Sequence, residues 1–193
     1  MSEIFLILAT LITVLAVVPY IIDILKGSTR PNLVSWVTWT LLTGIATVAE
    51  LSAGEVITSI FTASATLATL LVVIVGLFRK SYVKYTRFDV ICQISALLGI
   101  VLWQVFDSPG LAVVASVIID FIGALPTLRH SYQKPREETW VTFAVSSLGG
   151  LFGVLALESY DWVSLPYPVY IVLMNLATAI VILASRTRRL KTS

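Results

Sequence analysis

Residues 134–143 read KPREETWVTF, and residues 30–39 read RPNLVSWVTW. Each stretch sets a base, a proline and four intervening residues ahead of Trp-Val-Thr and a second large aromatic. The match widens in both directions. Upstream, Pro19 corresponds to Pro126. Downstream, Thr66-Leu67-Ala68-Thr69 corresponds to Asn175-Leu176-Ala177-Thr178, and Arg79-Lys80 to Arg188-Arg189. The offsets are 107, 104 and 109, a drift that short loop insertions and deletions explain. Four matches in one order point to an internal duplication.

The chemistry of the duplicated unit follows from composition. Of 193 residues, 58% are hydrophobic and 12% charged, and the mean hydropathy is +0.94. Soluble domains carry about 25% charged residues. The apolar residues also come in blocks rather than amphipathic stripes, which is how membrane spans read. Seven blocks are long enough to cross a bilayer: 4–26, 33–51, 56–78, 88–106, 110–130, 139–158 and 165–185. The start, MSEIFLILAT, has Glu3 where a signal peptide has bases, so it reads as a retained first span. Pro31 and Pro135 suit the starts of spans 2 and 6, where a missing N–H costs nothing.

Charge placement predicts the orientation. All thirteen Lys and Arg fall in the first, third and fifth loops and the C-terminal tail, whose last base is Lys191. Glu3, Glu50, Glu55, Asp107, Glu158 and Asp161 fall on the other side. Basic loops stay cytoplasmic, so the expected N-terminus is outside and the C-terminus inside, in a membrane of bacterial cytoplasmic type. The expected fold class is all-α: a polytopic membrane protein of seven transmembrane helices. It divides into a three-helix repeat over 1–80, a linker span over 81–109, and a second repeat with a basic tail over 110–193. Because three is odd, one linking span gives both repeats the same sense across the membrane.

Several residues are candidates for function. Pro19 and Pro126 each remove a helical hydrogen bond near the cytoplasmic end of a span, and are expected hinges. Trp36 and Trp140 suit either the interfacial aromatic belt or a binding pocket. Trp39 and Phe143 lie a turn deeper, as aromatic walls on opposite sides of a central pocket. Ser35 and Thr139 precede them by four residues, hence on the same helix face. Asn175, in an apolar run of span 7, needs a partner or a cavity; its repeat mate is Thr66. Asp120 falls near the bilayer centre, the costliest position in the chain, and is a candidate for proton or ion coupling. Asp23 is a second such candidate. It aligns with His130 near the surface, where pairing with Arg30 or Lys134 is the expected structural role. Asp89 opens span 4, where a carboxylate at a helix start is ordinary. The small and hydroxyl residues of 59–69 and 146–153 allow close helix approach.

Three-plus-one-plus-three spans, an outside N-terminus and a proline near the cytoplasmic end of each repeat's first span resemble the PQ-loop/SWEET superfamily. Tyr20 and Thr127 stand after these prolines where the family motif has Gln. Trp36-x-x-Trp39 is similar to the WxxW of nicotinamide riboside transporters. The resemblance implies parallel three-helix bundles around a central pocket. It also implies aromatics on the second span of each repeat and a pocket Asn at Asn175.

The expected function is a transporter or facilitator for a small polar solute (a sugar, a vitamin-like nucleoside or an amino acid) working by alternating access. The alternative is a receptor or accessory membrane protein that binds without transport. A lone His130 and a lone Cys92 on different elements, with no HExxH, GxSxG or phosphate loop, argue against an enzyme. They leave no metal set and call for no cofactor. Membrane lipids are expected partners and nucleic acid is not, since the bases are dispersed rather than gathered with stacking aromatics. Homo-oligomerisation stays open.

Overall fold

A computed structural model describes residues 2–52, 54, 56–103 and 109–190. Glu55, Asp107, Lys191 and the end of the fourth expected span lie outside the described residues. Those described are all-helical: α1 (Ser2–Lys26), α2 (Leu33–Ser52), α3 (Val56–Phe78), α4 (Arg87–Trp103), α5 (Pro109–Gln133), α6 (Trp140–Ala156) and α7 (Pro166–Leu190). A single 3-10 turn, Pro135–Glu137, precedes α6.

Five helices (α1, α2, α3, α5 and α7) are long and apolar enough to cross a membrane. This is narrower than the seven spans expected. Described α4 and α6 have 17 residues each, about 25 Å at 1.5 Å per residue. Pro135 also departs from expectation. It opens the 3-10 turn rather than α6, and Pro31 lies two residues ahead of α2. Pro19 and Pro126 both fall inside continuous helices.

Six helices close a ring in the order α1, α3, α2, α5, α7, α6 and back to α1. Helix α4 lies against the α2–α5 seam, where Ala96 and Ile100 meet Ile119. On α1 the exposed residues Ile4, Ile7, Leu11, Leu15, Val18, Ile22 and Leu25 recur every three or four positions. Ala9, Ala16, Tyr20 and Ile24 are buried on the other face. An apolar stripe turned outward is the pattern of a helix solvated by lipid, where apolar burial cannot drive helix association.

Small residues do that work. A Cβ at Gly149 would meet Thr13 Oγ1 at 3.2 Å and Ile12 at 3.3 Å, so α6 sits tightly on α1. A Cβ at Gly123 would meet Thr38 Cγ2 at 2.6 Å, so α5 is equally close to α2. Between α2 and α3 a hydroxyl ladder forms instead. Thr40 donates to Thr69 (3.0 Å), Thr47 to Thr62 (3.1 Å), and Thr62 to the Glu50 carboxylate (2.6 Å).

All the basic loops gather at one end. The backbone N–H of Arg30 donates to Glu137 O, that of Val83 to Pro31 O, and Ser81 Oγ to Thr29 O. Arg186 donates to Pro135 O and Glu138 O. Helix α4 starts in a reciprocal box: Asp89 Oδ2 accepts from Thr86 N, and Asp89 N donates to Thr86 Oγ1. That is the N-terminal carboxylate role expected for Asp89, which also accepts from Asn32 Nδ2.

Candidate functional site

Asp120 stands near the middle of α5 and is 4% exposed. Three neutral donors from two other helices reach its carboxylate. Trp39 Nε1–H of α2 and Tyr170 O–H of α7 both donate to Oδ1 at 3.0 Å, and Tyr167 O–H donates to Oδ2 at 3.0 Å. No Lys or Arg pairs with it among the described residues. A carboxylate in hydrocarbon needs such compensation. Here indole and phenol supply it, leaving aromatic faces around the acid.

A second polar cluster lies one stack of rings away, toward the basic end. Trp39 packs edge-on against Trp36 (centroids 5.2 Å apart), and Trp36 tilts over Tyr20 (4.7 Å). Tyr20 meets Phe143 edge-on at 6.2 Å. Trp36 Nε1–H donates to Tyr20 Oη, whose own hydrogen goes to Glu138 Oε2 at 2.8 Å. Glu138 is 1% exposed, and its other oxygen, Oε1, has no hydrogen-bond partner. Burial pushes this carboxyl up to about 8, with neighbouring Glu137 adding to the rise against the Tyr20 hydrogen bond and Arg186. It belongs to the loop just before α6 and joins it to α1.

These contacts revise several expected placements. Trp36 is 3% exposed in the core cluster, not in an interfacial belt, and half-buried Trp140 packs on the same cluster. Trp39 and Phe143 join one aromatic stack instead of facing each other as separate walls. Asp23 accepts from Thr139 Oγ1 at 2.7 Å rather than pairing with Arg30, and Thr139 also meets Thr29 (2.7 Å). His130 Nε2 lies 3.5 Å from Glu137 Oε2 rather than pairing with Lys134, which turns to the other oxygen of Glu137 at 3.6 Å.

The remaining candidates sit around the ring. Ser35 Oγ is buried and accepts from Thr127 N, just after Pro126. Thr66 is half-buried on the α2–α3 ladder. Asn175 is half-buried, and its Nδ2 donates to Ile171 O within its own helix, so that bond joins no two helices.

Sequence reasoning missed Tyr20, Glu138, Tyr167 and Tyr170. The tyrosine pair of PYPVY carried a usable signal, since two phenols three apart share a helix face. Glu138 carried none, being one of two adjacent loop acids. Compared with known proteins, the chain matches no family model, no curated protein and no solved structure.

Proposed function

We propose that the protein is a seven-span transporter or facilitator for a small polar solute, built from two parallel three-helix repeats joined by α4. The helix neighbours support the repeat reading. If α1, α2 and α3 correspond to α5, α6 and α7, the pairs α1–α3 and α3–α2 become α5–α7 and α7–α6. The joint α2–α5 becomes α6–α1, and every one of these pairs is in contact. Under this reading α4 and α6 also cross, the basic end is cytoplasmic, and the solute slot lies inside the ring. This is the arrangement the PQ-loop/SWEET resemblance implies.

One observation carries the functional reading. A buried carboxylate halfway along a membrane helix is held by aromatic donors from both halves of the ring. Such residues line transport pathways or couple them to ions. Apart from Trp39–Asp120, the side-chain hydrogen bonds between halves among the described residues lie toward the basic end, at Tyr20–Glu138, Asp23–Thr139 and Ser35–Thr127. Farther out, α1 and α6 meet instead through Phe5–Phe152 and Gly149. The hydroxyl ladder beyond Asp120 is half-exposed. That asymmetry fits a pathway closed at the cytoplasmic side and accessible from outside, with Pro19 and Pro126 as the hinges that reverse it.

The test is counterflow in proteoliposomes with labelled sugars, nucleosides and amino acids, using wild type and Asp120→Asn. Exchange that Asp120→Asn abolishes supports the reading. Saturable binding without counterflow makes the protein a receptor. Uptake that stays the same with and without a pH gradient, in both proteins, removes proton coupling through Asp120.

A further inference from the structure

The basic end holds a cleft of about 730 Å³, separate from the Asp120 site. Three loops wall it. Arg30 comes from the α1–α2 loop, Arg79, Lys80 and Lys84 from the end of α3 and the loop after it, and Lys134 from the end of α5. One carboxylate, Glu137, shares that wall and is already paired with Lys134. No carboxylate lies within ion-pair distance of Arg30, Lys80 or Lys84 among the described residues. The basic groups therefore far outnumber the acid that faces them.

Two further features separate this cleft from an ordinary basic surface. His130 belongs to its lining, is 5% exposed, and its Nε2 has no hydrogen-bond partner. Glu137 Oε2 stands 3.5 Å from that nitrogen without hydrogen-bond geometry, so its polar need is met only in part inside the chain. The walls are also fixed in advance, since Arg30 N–Glu137 O, Val83 N–Pro31 O and Ser81 Oγ–Thr29 O stitch the three loops together. Lys80 adds a local sign. It closes α3 at φ +50, with its N–H on Leu77 O and the N–H of Ser81 on Gly76 O. That left-handed position favours glycine, yet here it carries a lysine that lines the cleft.

We propose that this cleft binds a phosphate-bearing anion, bridging the loops of both halves at the basic end. Guanidinium and ammonium groups around a concave wall are the chemistry that recognises phosphate. Basic pockets between membrane helices take anionic headgroups on that side. A lipid phosphate and a soluble phosphate share this chemistry, so the experiment separates them.

Full-length protein is placed in nanodiscs of phosphatidylcholine alone, then with phosphatidylglycerol added. In parallel, detergent-solubilised protein is titrated with inorganic phosphate and with pyrophosphate. Thermal stability and native mass spectra are read in each arm. The expected result is saturable stabilisation in the lipid arm or the soluble arm. It weakens about five- to tenfold for each of Arg30→Gln and Lys84→Gln, and is unchanged in Arg188→Gln, outside the cleft. Lys80→Gly is a second check: it should keep or raise the stability of the unliganded protein while weakening the anion effect. No saturable effect in either arm overturns the proposal. So does an effect that Arg188→Gln reduces as much as Arg30→Gln, which would be bulk charge attraction only. None of these readouts depends on transport.

Discussion

Replacing Glu138 by Gln isolates the buried acid that joins the α5–α6 loop to α1. The carboxyl is shielded from water, carries one hydrogen bond from Tyr20, and has an unpartnered second oxygen. Its folded value of about 8 lies above the ordinary 4.5, so the folded chain holds this proton more tightly than the unfolded chain. The stabilisation is therefore complete below the unfolded value, and it is lost as pH rises from 4.5 to about 8. A rise of that size corresponds to a linked free energy on the order of 5 kcal/mol. For a chain near 200 residues, that is roughly 10–20 °C in Tm. Groups facing the acid are Tyr20 on α1, His130 on α5, Arg186 on α7 and neighbouring Glu137. The assay is thermal unfolding of purified protein from pH 4.5 to 8.5, for wild type, Glu138→Gln and Glu137→Gln. Wild type and Glu137→Gln should lose Tm across this window. Glu138→Gln, a permanent mimic of the protonated form, should stay nearly flat. An equal loss in Glu138→Gln would refute the reasoning and move the titration to another group.

Four further outcomes follow from the geometry. Trp39→Phe keeps an aromatic ring but removes an N–H from Asp120 Oδ1; leaving that buried acceptor short of a donor should cost about 1–3 kcal/mol, read by denaturant titration in detergent. Tyr167→Phe and Tyr170→Phe should each cost a similar amount, and the Tyr167→Phe loss should shrink in an Asp120→Asn background if both act through the acid. Gly123→Ala forces a methyl against Thr38 at the α2–α5 joint and should destabilise by about 1–3 kcal/mol, whereas Gly153→Ala, with open space around it, should be close to neutral. Pro19→Ala and Pro126→Ala should preserve the fold, by circular dichroism, but slow counterflow; unchanged rates would remove the hinges from the mechanism.

The helices themselves were legible. In α1, α2 and α3 the expected bounds fall within two residues of the observed ones, because apolar runs end at loops written in Gly, Pro, Ser and charge. The site was legible only where burial of a polar group is expensive by itself. Asp120 declared itself that way, since a carboxylate at that depth demands partners. Its partners did not: Trp39 read as a pocket wall, and Tyr167 and Tyr170 read as ordinary residues at a span entrance. Trp36 read equally well as interface or pocket, and its burial against Tyr20 depends on how α1 meets α2. Glu138 looked like a solvated loop acid until Arg186 and Tyr20 closed over it.

By itself the sequence determined an all-helical chain rich in membrane-length helices, with its bases gathered at one end and an internal echo between its halves. Those properties follow from composition, run length and spacing, which act locally along the chain. Tertiary structure alone decided which helices became neighbours, and so which polar groups were left without water. That is why the aromatic cradle of Asp120, the proton held on Glu138 and the basic cleft above them emerge only from three-dimensional packing. The energy of a buried charge depends on what surrounds it in space, whatever stands beside it in the chain.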